Sequence, residues 1–230
     1  MDIINQAQTL MGRPHVVIAT PGRIKVLIEQ SPNIAVFLVL DEADRVLDVG
    51  FEEELRVLHV NKAYIYEAYG GFKTVESLKQ QHGLTPKKVK DVYLLHILSK
   101  MEDMGIRSAI VFVQTTRCCH HISLMLEEIE LEAAALHSLK PQFLRLAALS
   151  RFKSGQIPLL VATDVASRGL DIPTIDLVIN YDIPRCPRDY VHRVGRTTGK
   201  GRGGLAVSIV TPVRCKTTAL YGLEENIQNW

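Results

Sequence analysis

Short apolar runs of four to six residues recur along the 230-residue chain, at 15–19, 36–40, 109–113, 133–136, 158–162, 175–180 and 205–210. Each is too short for a helix. Within most of them the apolar residues are consecutive and do not alternate with polar ones. That pattern belongs to strands covered on both faces, as in a parallel sheet flanked by helices. Between the runs lie longer stretches of mixed polarity, near 87–103, 117–130, 141–153 and 187–195, which predict helices. A further helical pattern, Ile24, Leu27 and Ile28, separates the first two runs. Strand–helix alternation of this kind predicts an α/β fold with a doubly wound parallel sheet. Residues 61–84 are largely polar and contain Tyr69-Gly70-Gly71, so they read as a linker. The division is then a partial first lobe at 1–60, the linker at 61–84 and a complete second lobe at 85–230, with no internal repeat.

In open parallel sheets ligands gather beyond the carboxyl ends of the strands, and polar residues cluster there in this sequence. The run ending at Ala162 is followed by Thr163, Asp164, Ser167, Arg168 and Asp171. Two carboxylates, two hydroxyls and an arginine suit a ligand with phosphates and sugar hydroxyls, although a capped helix with a surface ion pair uses the same residue types. Residues 15–19 close on Thr20-Pro21-Gly22-Arg23, a turn that presents Arg23 at the end of the first strand. The second run leads directly into Asp41-Glu42-Ala43-Asp44. An acidic pair at a strand tip can hold Mg²⁺ through water and polarise an attacking water; an acidic helix start would carry the same residues.

Charge sharpens this picture. The net charge is only +2, but Asp41 to Glu54 holds seven acidic residues against Arg45, while Arg185 to Lys216 holds eight Lys or Arg against Asp189. Acidic and basic segments of this kind suit a shared polyanion and its metal ion. No apolar run approaches the roughly 20 residues a membrane span requires, and the first residues lack the pattern of a secretory signal, so an intracellular protein without a membrane partner is expected. Four cysteines, two of them adjacent, do not form a disulfide framework. Cys118-Cys119-His120-His121 is no zinc site either, because consecutive helical residues point about 100° apart.

The ordered motifs resemble those of the DEAD-box RNA helicases. Asp41-Glu42-Ala43-Asp44 is similar to the motif that names the family, and it follows Thr20-Pro21-Gly22-Arg23 at a similar spacing. Residues 109–113 resemble motif IV, and His137-Ser138 with Gln142 and Arg145 resembles the HS…QxxR segment. Residues 159–173 resemble motif V nearly letter for letter, and His192 to Thr197 resembles motif VI. The surrounding sequence is most similar to the subgroup acting in ribosome assembly. The resemblance implies a RecA-like second lobe, preceded by part of a RecA-like first lobe.

It also implies roles. Asp41 would hold Mg²⁺ through water, Glu42 would activate the attacking water, and Asp44 would bridge to other motifs. Asp171 would touch the ribose of ATP, Arg196 would reach its γ-phosphate, and His192 and Arg193 would couple nucleotide to RNA. Thr20, Pro21, Gly22, Arg23, Gln142, Arg145, Thr163 and Arg168 would grip RNA phosphates and 2′-hydroxyls without reading bases. The expected protein is a monomeric, ATP-dependent RNA helicase of the nucleus or nucleolus, with ribosome-assembly proteins as partners.

Two departures temper the expected activity of this chain. No G-x-x-x-x-G-K-[ST] phosphate loop occurs in its 230 residues, and no Ser-Ala-Thr motif follows Asp44. In motif VI the family's final arginine is replaced by Gly199, with Lys200 next to it. A lysine is a point charge without the planar fork of an arginine finger. These features predict little ATP hydrolysis by the chain itself, and leave a catalytically inactive RNA-binding or partner-binding module as the alternative.

Overall fold

The computed structural model describes residues 3–30, 39–41, 78–164, 172–197 and 204–212. The chain divides into two compact units, Met1–Ala68 and Tyr69–Trp230.

The described part of the first unit consists of helices α1 (Ile3–Met11) and α2 (Pro21–Gln30), each burying one leucine, Leu10 and Leu27. Here the expected first strand does not form. Residues 15–19 carry no strand, and Val16 and Ile18 are 77% and 96% exposed. A strand needs a neighbour to pair its backbone groups, and none of the described strands lies in this unit. The turn at Thr20 to Arg23 is in fact a helix start. The Thr20 carbonyl accepts the N–H groups of Arg23 and Ile24, and Pro21 occupies the first helical position, where its missing N–H is harmless. Of the second expected strand only Val39 and Leu40 are described, both non-strand, and Val39 is exposed; 36–38 lie outside the described residues.

The second unit is built on a six-stranded sheet. Its strands are β1 (Lys79–Leu84), β2 (Ala109–Val113), β3 (Ala133–Leu136), β4 (Leu159–Thr163), β5 (Leu177–Asn180) and β6 (Leu205–Val210). Every pairing is parallel, in the order β1-β6-β5-β2-β4-β3. The strands alternate with α3 (Lys90–Ser99), α4 (Thr116–Glu128), α5 (Gln142–Lys153) and α6 (Pro187–Val194). Because successive strand residues face opposite ways, the sheet sustains two cores. Ile110, Phe112, Leu160 and Val178 face Leu149 and Phe152 of α5 and Tyr190 and Val194 of α6. Val111, Val113, Val161 and Ile179 face Leu94 and Leu98 of α3 and Ile122 and Leu126 of α4. The doubly wound arrangement predicted from the alternation is therefore present.

The linker boundary needs correction. Residues 79–84, placed in the 61–84 linker, form edge strand β1, with Lys79 opposite Leu205 and Leu84 opposite Val210. Its sequence is polar because an edge strand of this kind buries little; only His82 is fully buried. Tyr190 of α6 donates from its hydroxyl to Gln80 Oε1 at 2.7 Å, tying β1 to the helix beneath it. Gly204 precedes β6 where a Cβ would strike the Thr197 backbone, so the close crossing of the two segments requires glycine.

Candidate nucleic-acid interface

The parallel register brings the ends of the central strands to one edge. Val113 of β2 lies opposite Thr163 of β4, and Leu136 of β3 lies opposite Ala162. The residues that follow β2, β3 and β4, namely Gln114, His137 and Asp164, therefore emerge side by side. Thr115 caps α4 by accepting the Cys118 N–H at 3.1 Å, which fixes the turn after β2. Helix α5 begins at Gln142, and the Arg145 guanidinium donates to the Gln142 side-chain oxygen.

Three polar side-chain atoms at this edge are buried without a hydrogen-bond partner among the described residues: Thr163 Oγ1, His137 Nδ1 and Arg145 Nε. A buried polar atom left unpaired costs about 1–3 kcal/mol. Three of them on adjoining segments mark an edge suited to a polar ligand. Burial, Lys140 and His120 hold the His137 imidazole below its ordinary pKa, which favours the neutral ring.

Arg193 is placed differently from its expected role. Its guanidinium is buried and faces inward, donating through Nε and Nη2 to the two Asp164 oxygens at 2.6 and 2.7 Å. Its Nη1 donates to Asn180 Oδ1 at 3.1 Å and to the Asp182 carbonyl at 2.6 Å, and the group lies 5.0 Å from the centre of the Phe112 ring. Arg193 thus joins the segment after β4, the end of β5 and α6. Asp164, read in the sequence as part of a ligand edge, is engaged by it.

Asp182 is a second junction. One carboxylate oxygen takes Lys90 Nζ at 2.6 Å and the other accepts the Gln114 N–H at 3.0 Å. Lys90 also sits 3.9 Å above the Tyr181 ring, whose hydroxyl donates to Asp91 at 2.5 Å. Asn180 and Asp182 were absent from the candidate residues. The available signal was Asn180 itself, a fully buried amide that ends an apolar run.

The other expected residues are distributed as follows. His192 is half-buried on α6. Arg196 is also half-buried, and its guanidinium makes no hydrogen bond or ion pair among the described residues. Thr20, Pro21, Gly22, Arg23 and Asp41 belong to the first unit; Thr20, Arg23 and Asp41 are exposed. Glu42, Asp44, Arg168 and Asp171 lie outside the described residues. The adjacent Cys118 to His121 diverge: Cys119 Sγ donates to the Val161 carbonyl at 3.2 Å, while His121 faces Asp91 at 3.3 Å. Burial, with the carboxylates of Asp182 and Asp91 nearby, pushes the Cys118 thiol up to about 12. Burial pushes Cys119 up to about 11, so both stay protonated.

Comparison with known proteins gives this edge its context. Residues 2–65 match the family described as DEAD/DEAH box helicase, and residues 88–201 match the helicase conserved C-terminal domain. A curated relative, "DEAD-box ATP-dependent RNA helicase 36" of Arabidopsis thaliana, is 55% identical over 260 aligned positions, covering 99% of this chain and 52% of the relative. Human "Probable ATP-dependent RNA helicase DDX49" is 38% identical, with 99% and 54% covered. The chain thus spans about half the length of the curated relatives it matches. Since 260 aligned positions exceed the 230 residues of the chain, at least 30 positions of the Arabidopsis relative have no counterpart here. The structure of Saccharomyces cerevisiae Dbp5 bound to RNA and ADP BeF3 shares the fold, with a TM-score of 0.72 at 24% identity over 93% of this chain and 65% of that one. On these matches the chain belongs to the DEAD-box helicase family.

Proposed function

We propose that this chain grips the backbone of an RNA strand at the carboxyl edge of its sheet, as part of an ATP-dependent helicase that separates short duplexes. The three unpartnered atoms on Thr163, His137 and Arg145 carry this reading, because phosphates and 2′-hydroxyls supply the missing donors and acceptors. Gln142 and Arg145 share the first turn of α5, so both are delivered to one stretch of backbone. Arg168 and the segment Thr20-Pro21-Gly22-Arg23 extend the grip. Grip of this kind is independent of base sequence and strongly weakened by salt.

ATP and Mg²⁺ belong to the same reading. The Arg196 guanidinium, without a partner among the described residues, fits a phosphate, and Asp171 and His192 would face the nucleotide. Asp41 would hold Mg²⁺ through water, with Glu42 and Asp44 beside it. When bound, ATP supplies the phosphoryl transfer that drives the helicase cycle. The donor set is incomplete on the first lobe's side, where no phosphate-loop motif occurs in these residues. Arg193 acts as a positioning residue, since its guanidinium is occupied internally. The resemblance to ribosome-assembly helicases extends the proposal to a monomer acting in the nucleolus on ribosomal RNA precursors, together with ribosome-assembly proteins.

The test measures binding of the 230-residue chain to single-stranded RNA across a salt series. Affinity is expected to fall linearly on a logarithmic salt scale. Arg145→Ala should weaken binding equally for all sequences and reduce the salt slope by about 1. Sequence-dependent or salt-independent binding would overturn the grip. ATP turnover, measured with and without RNA, should be negligible for this chain; turnover abolished by Glu42→Gln would show that a hydrolytic site is complete.

A further inference from the structure

Lysine is an unfavourable residue at position 90 on two physical grounds. Lys90 opens α3, where the partial positive charge of the helix dipole favours acidic side chains such as the neighbouring Asp91. Its side chain is also only 8% exposed, and taking a buried ion pair out of water costs about as much as the pair's attraction returns. Neither helix formation nor burial calls for a lysine here. The reason for one lies in what its charge holds.

What it holds is Asp182, a residue bonded in four directions. Lys90 Nζ lies 2.6 Å from Asp182 Oδ1. The other carboxylate oxygen accepts the Gln114 N–H at 3.0 Å, the Asp182 N–H donates to the Phe112 carbonyl at 3.1 Å, and the Asp182 carbonyl accepts Arg193 Nη1 at 2.6 Å. Lys90 comes from α3 on one face of the sheet and Arg193 from α6 on the other. Asp182 thus ties a cation on each face to the turn after β2. Arg193 in turn holds both oxygens of Asp164, the residue directly after Thr163. A continuous series of bonds therefore runs from Lys90 through Asp182 and Arg193 to Asp164. The Tyr181 ring, 3.9 Å from the Lys90 ammonium, steadies its first member.

We propose that Lys90 is a positioning residue for the carboxyl edge of the sheet: its pull on the Asp182 carboxylate fixes the carbonyl that holds Arg193, and through Arg193 the place of Asp164 and Thr163. The hold on Arg193 is a property of the fold, whereas its effect on RNA rests on the gripping reading above. Lys90 touches no phosphate in this scheme. Its loss lowers affinity without changing the salt slope, which counts the phosphates contacted.

The experiment takes two measurements on the 230-residue chain. One is affinity for oligo(A) RNA of about ten nucleotides across a salt series. The other is the Arg193 Nε–H signal in a proton–nitrogen NMR spectrum, assigned by its disappearance in Arg193→Lys. Lys90→Met is expected to shift the Arg193 signal and to weaken RNA binding about fivefold at constant salt slope. Lys90→Arg, which keeps a cation against Asp182, should return both toward the parent. In an Arg193→Lys background, Lys90→Met should add less than about a twofold loss, because the bond through which it acts is gone. Asp182→Asn keeps the carbonyl and loses the charge; it should move the signal the same way, and it replaces Lys90→Met if that variant does not fold.

Parent-like RNA affinity and an unmoved Arg193 signal in folded Lys90→Met, with only the melting temperature lowered, overturn the proposal and leave a structural ion pair. A salt slope reduced by about 1 in Lys90→Met also overturns it, since Lys90 would then contact a phosphate itself. A parent that binds no RNA, while Lys90→Met still shifts the Arg193 signal, overturns the grip and upholds the hold of Lys90 on Arg193.

Discussion

At Arg193 one side chain connects segments that lie 11 to 29 residues apart in sequence. The planar fork meets the Asp164 carboxylate with two parallel bonds, a geometry that lysine cannot reproduce. Arg193 is 2% exposed and the Asp164 side chain 23%. Arg193→Ala leaves a largely buried carboxylate and the Asn180 amide without their partner, and a loss of about 3 kcal/mol is expected in urea unfolding. Arg193→Lys should recover less than half of it. Histidine protonation acts at the same scale. Burial lowers the pKa of His82, and burial with Lys140 and His120 lowers that of His137. The unfolded chain, with its imidazoles near 6.5, takes up protons first as pH falls. Stability is therefore full above that value and declines as pH drops from about 6.5 to the lowered folded values. The urea midpoint should be lower at pH 5.5 than at pH 7.5, and the double variant His82→Gln/His137→Gln should narrow the difference.

Among the elements, β1 shows best what sequence pattern conveys and what it conceals. The five strands at 109–113, 133–136, 159–163, 177–180 and 205–210 were legible because both of their faces are covered, leaving continuous apolar runs. β1 was not legible: Lys79, Gln80 and Gln81 satisfy an edge that needs backbone pairing more than apolar side chains. Residues 15–19 are the converse case, an apolar run without a described partner strand and without strand structure. The candidate interface divides similarly. The strand-end position of Thr163 was legible from the apolar run before it, and Gln142 and Arg145 were expected there from the family resemblance, whereas the inward commitment of Arg193 depends on Asn180 and Asp182, which only the folded sheet brings near. Deleting β1 by starting the second lobe at residue 85 uncovers the flank of β6, including its Leu205 to Val210 backbone. That fragment should melt at lower temperature and scatter more light than one starting at Tyr69.

Across the whole molecule, the first and last described strands of the second unit are partners. β1 begins at Lys79 and β6 ends at Val210, so this pairing closes a loop spanning most of the unit. Such a closure is entropically expensive until both ends are present, and long-range parallel pairing forms slowly. During synthesis, at roughly 5–20 residues per second, β1 leaves the ribosome on the order of 10 s before β6 can reach it. Over that interval both β1 and the flank of β5 that β6 later covers are unpaired edges, open to other nascent chains. A messenger interrupted before the codon for Gly204 would make that exposure permanent. For a protein of this architecture, synthesis of its last paired strand decides between a closed sheet and an aggregation-prone one.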